Sequence, residues 1–258
     1  VTNTITIDGK HVKLTGGTLT RGTGFTEDMI EVTNGSSLTL ADITLDGKNI
    51  SSNGTLVRAT GSAEKTTVII LQEGAVLQNN ITTGAGGAIS LYANFQSTEN
   101  IEFTMNGGTI KNNTAVSGGA IADNTNAPIT ITINAGKITG NTANGDSSTT
   151  WGGAIYSGST LIINGGEITN NSTTGRGGGV FKTGGLDTTF TMNGGIIKNN
   201  TARDMSVTGG SGANVYVNQC IFTLGDNANI PDGLYLKLGS DSKFYISSAL
   251  KNAIEIED

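Results

Sequence analysis

Two short motifs alternate along the middle of this chain, and their regular spacing constrains its fold more than any other feature. The first is Gly-Gly-Ala-Ile, which starts at Gly86, Gly118 and Gly152 and recurs more loosely as Gly-Gly-Gly-Val from Gly177. The second is an apolar residue followed by x-x-Asn, and its copies are Val76 to Asn79, Ile110 to Asn113, Ile138 to Asn141, Ile168 to Asn171 and Ile197 to Asn200. Repetition at a nearly constant interval is typical of stacked repeats, in which one unit cannot bury its own core.

Between the two motifs lies a segment in which apolar and polar residues alternate before a corner of the type Asn-Gly-Gly. Alternation at period two predicts a strand with one buried face rather than a helix. We expect two buried columns, formed by Phe103, Ile131, Leu161 and Phe190 and by Met105, Ile133, Ile163 and Met192. Each repeat is therefore predicted to hold short strands separated by sharp corners.

These units predict an all-β fold, a single right-handed parallel β-helix (a solenoid) of about eight or nine coils, because parallel crossovers are overwhelmingly right-handed. A β-propeller is the rival fold, but its blades use antiparallel strands and longer repeats. The isoleucines of the second motif should form one buried column. The corner asparagines Asn113, Asn141, Asn171 and Asn200 should stack amide to amide.

The chain shows no Pro-rich or charged linker, so we interpret residues 1–258 as one parallel β-helix domain. Within it, residues 1–71 are expected to form looser amino-terminal coils, residues 72–217 the regular coils, and residues 218–258 irregular coils and a cap. Terminal repeats are expected to be atypical because they cover the exposed end of the core.

Composition argues against several classes of function. A net charge of −6 argues against nucleic acid binding, which requires a basic surface. No apolar stretch reaches the length of a membrane span. The single cysteine, Cys220, leaves no disulfide framework and no cysteine metal site. We expect no cofactor and no bound metal. We also expect the chain to be a monomer.

The alternation of Gly-Gly-Ala-Ile with apolar-x-x-Asn resembles the repeats of polymorphic outer-membrane adhesins and of β-helical surface proteins from gut Gram-positive bacteria. The segments 5–9 and 37–47 are similar to the first coils of the pectin-lyase-like superfamily. This resemblance implies a secreted or wall-displayed bacterial protein whose leading role is adhesion, through binding to a glycan or to a host or matrix surface.

Two other functions stay open as alternatives, a rigid stalk without a ligand and a polysaccharide lyase or glycoside hydrolase. Enzymes of the similar superfamily gather carboxylates on neighbouring coils, because one carboxylate transfers a proton while another binds calcium or activates water. The acidic residues between Gly86 and Val217 scatter instead, and no two share a column in adjacent coils. We therefore assign no catalytic residue and favour a non-catalytic protein.

The position after each Gly-Gly-Ala-Ile motif is rich in aromatic residues, and it follows an apolar position that must face inward. We therefore expect this column to face outward as a contact surface, since exposed aromatic residues gathered in one place suggest binding. The predicted binding residues are Trp151, Tyr156, Arg176, Phe181 and Tyr216, flanked by Asp123 and Lys182. Alternatively, the loops at residues 142–150 or 203–211 fold over these rings and bury them.

Overall fold

The computed structural model describes residues 1–93, 98–123, 128–146, 149–185, 187–203, 212–237, 243–246 and 255–257. The described residues form short β-strands that follow one another around successive coils. The strands of the first three coils are β1 (Ile5–Asp8), β2 (His11–Thr15), β3 (Thr18–Thr20), β4 (Ile30–Thr33), β5 (Ser37–Ala41), β6 (Thr44–Asp46), β7 (Ser51–Ser52), β8 (Val57–Thr60), β9 (Thr66–Leu71), β10 (Val76–Gln78) and β11 (Ile81–Thr82).

The remaining coils repeat this plan with some strands merged. The strands of the next three coils are β12 (Ile89–Tyr92), β13 (Asn100–Lys111), β14 (Thr114–Ala115), β15 (Ile121–Asp123), β16 (Ile129–Thr139), β17 (Thr142–Ala143), β18 (Ile155–Ser157), β19 (Thr160–Ile163), β20 (Glu167–Thr169) and β21 (Ser172–Thr173). The last strands are β22 (Val180–Lys182), β23 (Thr189–Lys198), β24 (Thr201–Ala202), β25 (Val215–Asn218), β26 (Ile221–Asn229), β27 (Leu234–Lys237), β28 (Lys243–Ile246) and β29 (Glu255–Glu257).

Three parallel sheets run along the stack. Sheet A joins β1, β4, β8, β12, β15, β18, β22, β25, β27 and β29, and sheet C joins β7, β11, β14, β17, β21 and β24. Sheet B joins β2, β5, β9, β13, β16, β19, β23, β26 and β28, with the short strands β3, β6, β10 and β20 forming a second arm. The predicted parallel β-solenoid is confirmed, with about seven turns, close to the eight or nine expected.

The predicted columns of core residues are also confirmed. Phe103 pairs in register with Ile131, and Leu161 pairs with Phe190. All eight residues of the two strand columns are buried, as are the isoleucines Ile110, Ile138, Ile168 and Ile197. These side chains belong to one continuous core inside the coils. Burial of this aliphatic interior supplies the main driving force for stacking.

The corner asparagines form the predicted amide ladder, which we call the inner ladder. The Nδ2 of Asn113 donates to the Oδ1 of Asn141 at 3.0 Å, Asn141 donates to Asn171 at 3.0 Å, and Asn171 donates to Asn200 at 3.0 Å. The same amides also donate to backbone carbonyl groups, as when Asn141 Nδ2 donates to the oxygen of Ile110 at 3.1 Å. The inner ladder therefore satisfies buried polar groups of the corner backbone.

The inner ladder is longer than the sequence motif indicates. Asn80 extends it by one coil, since its backbone N–H donates to the Oδ1 of Asn113 at 3.0 Å. Register places Leu77 opposite Ile110, so the expected motif from Val76 to Asn79 is wrong by one residue. At the other end, Asn200 donates to the Oδ1 of Asn214 at 2.9 Å.

Charged side chains terminate the inner ladder at both ends. The buried guanidinium of Arg21 donates through Nη2 to the Oδ1 of Asn80 at 3.1 Å. Nη2 also donates to the backbone carbonyl of Thr55 at 3.2 Å. At the opposite end, the Nδ2 of Asn214 donates to a carboxylate oxygen of Asp232. A cation therefore lies at the acceptor end of the ladder and an anion at its donor end.

Sheet B bends where its strands pass through the Asn-Gly-Gly corner. Pairing between β13 and β16 shifts register between Met105 and Asn106, and pairing between β23 and β26 shifts after Met192. Register shifts of this kind bend a strand locally. The bend gives sheet B two arms with a concave outer side between them.

Candidate functional site

Five aromatic side chains form a row on the outer side of sheet A, which we call the aromatic ridge. Its members are Trp151, Tyr156, Phe181, Tyr216 and Tyr235. Four of these residues lie on successive coils, because Tyr156 pairs in register with Phe181, Phe181 with Tyr216, and Tyr216 with Tyr235. Val215 pairs with Val180 in register, which places Tyr216 in the same column as Phe181.

The rings of the ridge stack along its length. Ring centroids lie 5.5 Å apart between Trp151 and Tyr156, 5.2 Å apart between Phe181 and Tyr216, and 4.7 Å apart between Tyr216 and Tyr235. These separations fall in the range in which aromatic pairs add stability beyond their buried area. Contacts between the rings of the ridge therefore stabilise the stacking of the coils on the outside of the solenoid.

The expectation that the whole column is exposed is wrong. Phe181 is only 4% exposed, Tyr216 1% and Tyr235 4%, whereas Trp151 and Tyr156 are partly exposed. Phe181 and Tyr216 have aromatic neighbours on both faces, so an outward position on the sheet does not make them accessible. The alternative that residues 203–211 fold over the rings concerns residues 204–211, which lie outside the described residues.

Arg176, one of the predicted binding residues, lies beside the ridge. It forms an isolated parallel bridge with Trp151, so the two residues are neighbours on successive coils. The Cζ of Arg176 lies 5.4 Å from the ring centroid of Tyr216, which is a cation–π geometry. Trp151 and Tyr156 are the ridge residues that reach the surface, and Arg176 is partly exposed beside them.

The expectation that Asp123 and Lys182 flank this surface is wrong, because both side chains are fully buried. In β22, Phe181 faces outward between Val180 and Lys182, so Lys182 faces inward because side chains alternate along a strand. Asp123 has the equivalent inward position in β15. They belong to a polar cluster inside the coils, which we call the interior cluster. Its members are Asp123, Ser157, Lys182, Thr188 and Cys220.

Hydrogen bonds hold the interior cluster together. Ser157 Oγ donates to Asp123 Oδ2 at 2.7 Å, and the backbone N–H of Gly158 donates to Asp123 Oδ1 at 2.7 Å. Lys182 Nζ donates to Thr188 Oγ1 at 2.9 Å and to the carbonyl oxygen of Thr183. Burial of polar groups is tolerated here because each has a partner.

Burial shifts the proton affinity of each titratable member. It raises the pKa of Asp123 to about 6, although the hydrogen bonds from Ser157 and Gly158 and the charge of Lys182 oppose the shift. Burial also lowers the pKa of the Lys182 amine and raises the pKa of the Cys220 thiol. These shifts follow from the cost of holding charge in an apolar interior.

The interior cluster combines an acid, a hydroxyl group and an amine, yet none of them is accessible to a polymer. Asp123, Ser157 and Lys182 each have an exposed fraction of 0%. Among the described residues, no three His, Cys, Asp or Glu side chains gather as ligands for a metal ion. We therefore interpret the interior cluster as part of the framework and the exposed end of the ridge as the candidate site.

Sequence reasoning missed one member of the ridge, Tyr235. The signal was present, because Leu234 and Leu236 alternate around it and both are buried. Asp123 and Lys182 carried the same signal, since each lies two positions after a buried Ile or Val.

A family model described as the Chlamydia polymorphic membrane protein (Chlamydia_PMP) repeat matches residues 137–158, which run from the second arm of sheet B into sheet A of the next coil. Comparison with curated proteins and with solved structures finds no match. The described residues contain no helix that a lipid bilayer could accommodate as a span.

The matched repeat and the β-solenoid agree with each other. The repeat points to a bacterial outer-membrane or surface protein, and the solenoid is the fold expected from stacking such repeats. The resemblance inferred from the motifs is thereby confirmed: the chain resembles the β-helix repeat proteins of the bacterial outer membrane.

Proposed function

We propose that this chain is a non-catalytic, adhesin-like module of a bacterial surface protein, and that it contacts glycans of a host or matrix surface through the exposed end of the aromatic ridge. The observation that carries this proposal is the stacked pair of Trp151 and Tyr156, whose ring centroids lie 5.5 Å apart and which both remain partly exposed. Aromatic side chains of this kind combine a large apolar face with a polar tip. Such faces suit the apolar faces of sugar rings.

Arg176 completes this candidate contact surface. It is partly exposed and lies next to Trp151 on the following coil. Its guanidinium carries five N–H donors in a fixed plane, which suits hydroxyl and carboxylate oxygens of a glycan. Because the surface is small, a single contact would be weak, and firm adhesion would come from many displayed copies acting together.

A rigid spacer is the second candidate function, and one observation favours it. Phe181, Tyr216 and Tyr235 are buried, so most of the ridge stabilises the coils and only its end is accessible. A chain built this way could hold another domain away from the cell surface without a ligand of its own.

A double variant separates the two candidates. We expect Trp151→Ala/Tyr156→Ala to lose about tenfold or more in binding to a glycan array and to immobilised mucin, because the stacked pair supplies the contact. Tyr92→Ala is the matched control, since Tyr92 is an exposed aromatic residue of the same sheet, 41% exposed, at a distance from the ridge. The control should bind as the wild type does. Binding by none of the three proteins would favour the spacer, whereas equal binding by all three would rule out the ridge as the contact surface.

A further inference from the structure

A groove follows the concave outer side of the bend in sheet B and is separate from the aromatic ridge. It has a volume of about 370 Å³, and its lining includes Glu73, Gly108, Thr109, Gly136, Lys137 and Glu167. These residues come from four successive coils, so the groove runs along the axis of the solenoid. Its volume lies in the range of small-molecule binding sites. We call it the bend groove.

The floor of the bend groove is bare backbone. Gly108 and Gly136 have φ angles of +80° and +98°, which favour glycine. A Cβ atom at Gly108 would approach the carbonyl oxygen of Ala75 to 2.6 Å, and one at Gly166 would approach that of Gly136 to 2.9 Å. The floor therefore cannot carry side chains, and the groove stays open across neighbouring coils.

A second asparagine ladder, the outer ladder, lies two residues before the floor glycines along the chain. The Nδ2 of Asn134 donates to the Oδ1 of Asn106, Asn164 donates to Asn134, and Asn193 donates to Asn164, each at 2.8 Å. All four side chains are exposed. An amide has two N–H donors and two lone pairs. Within the ladder, Asn134 and Asn164 each use one N–H donor and one lone pair. Each of these amides therefore offers a further donor and a further acceptor to a ligand.

The lining of the groove itself carries a different polar group on each coil. Thr109, Lys137 and Glu167 occupy equivalent positions in register, and Glu73 closes the amino-terminal end. Lys137 Nζ lies 3.4 Å from a carboxylate oxygen of Glu167, with side chains 61% and 48% exposed. An exposed pair of this kind is weak and can rearrange around a ligand. Two carboxylates against one amine leave the groove with an excess of negative charge.

We propose that the bend groove binds an uncharged linear glycan that lies along the solenoid axis. Polar groups of the lining, and of the outer ladder two residues away along the chain, recur once per coil at a spacing of about 4.8 Å, which suits a polymer rather than a compact ligand. Sugar hydroxyl groups both donate and accept hydrogen bonds, as the amides of the outer ladder do. The carboxylates of Glu73 and Glu167 disfavour polyanionic chains. This site does not depend on the ridge proposed above.

The test is isothermal titration calorimetry of the full chain with short linear oligosaccharides of glucose, mannose, xylose and N-acetylglucosamine. Thr109→Phe places a large side chain in the groove, and we expect it to weaken binding about tenfold, or about 1.4 kcal/mol. Thr139→Phe is the matched control, because Thr139 lies in the adjacent coil, two positions beyond Lys137 and outside the groove. The control and the Trp151→Ala/Tyr156→Ala variant should bind as the wild type does.

A second groove variant tests the proposal even if Thr109→Phe fails to fold. Lys137→Ala/Glu167→Ala removes two exposed side chains, so the fold should persist while binding falls by a comparable factor. The proposal is overturned if no oligosaccharide of the panel binds, if heparin or polygalacturonate binds more tightly, or if both groove variants bind as tightly as the Thr139→Phe control. Loss of binding in the ridge variant alone would assign the glycan to the ridge instead.

Discussion

At the scale of single residues, the Asn-Asn pairs divide two tasks between neighbours. The first residue takes a left-handed backbone angle, with φ of 55° at Asn112, 57° at Asn170 and 57° at Asn199. The second, such as Asn113, places its amide in the inner ladder. Asn is one of the few residues suited to either task, since it tolerates the left-handed region and carries both a donor and an acceptor.

This division predicts a large loss of stability for one substitution and a small change for its neighbour. Asn113→Ala should lower the free energy of unfolding by at least about 2 kcal/mol, because an unpaired buried polar group costs about 1–3 kcal/mol and several lose their partner. Asn112→Gly keeps the left-handed angle and should change stability by only a few tenths of a kcal/mol. Urea unfolding followed by circular dichroism measures both. Similar losses in the two variants would contradict the division.

Four members of the inner ladder could be predicted from the sequence, because the motif repeats at nearly constant spacing. Asn80 was missed through a one-residue error, although pairing each Asn-Asn doublet with the next would have corrected it. Asn214 and Arg21 were missed for a physical reason. Both reach the ladder from a different position in the coil, and a linear motif does not show which side chains meet in space.

At the scale of elements, the strands of sheet A show where hydrophobic patterning fails. Strands β15 and β22 have three residues each and bury all three, so an outward position gives no exposure. The inward positions of Asp123 and Lys182 follow from alternation, but charged residues are normally expected outside. Only the hydrogen bonds of the interior cluster, which join residues far apart in the chain, explain why the inward position is tolerated.

The interior cluster predicts an unusual dependence of stability on pH. The pKa of Asp123 in the folded protein is about 6, above the usual 3.8, so its contribution to stability is complete at low pH and is lost as pH rises through 6. The lowered pKa of Lys182 acts in the opposite sense, with stability lost as pH falls through that pKa. Asp123→Asn removes the first effect. We therefore expect the variant to exceed the wild type in stability at pH 7 by up to about 3 kcal/mol, and the difference to vanish once the pH falls below the usual pKa of 3.8.

Thermal or urea unfolding of both proteins across this range measures the difference directly. Other carboxylates titrate in the wild type and the variant alike, so they cancel in the comparison. Parallel stability profiles for the two proteins would show that Asp123 does not carry the effect.

At the scale of the whole molecule, the strands of each described coil pair with those of the coils before and after it. Sheets A and B continue from β1 and β2 to the last described strands, and the core is continuous along them. Stability in such a stack is a sum of coil and interface contributions, so the ends open more easily than the middle.

We therefore expect a gradient of hydrogen exchange along the axis. Amides of β16 and β19, which have neighbours on both sides, should exchange at least about a hundredfold more slowly than those of β2, whose residues are largely exposed. Native-state exchange read by mass spectrometry resolves these segments. Equal protection of β2 and β16 would mean that the stack opens as one cooperative unit.

The charges that terminate the inner ladder have a consequence for how such a module changes in length. Each inner coil brings its own amide, which accepts a hydrogen bond from the coil before it and donates one to the coil after it. A duplicated coil inserted between Asn113 and Asn171 would meet the same partners as its parents, while Arg21 and Asp232 would still close the two ends. Gene duplication can thus lengthen the module in steps of about 4.8 Å without redesigning either terminus. The distance that the module spans is free to evolve separately from the structures that close it.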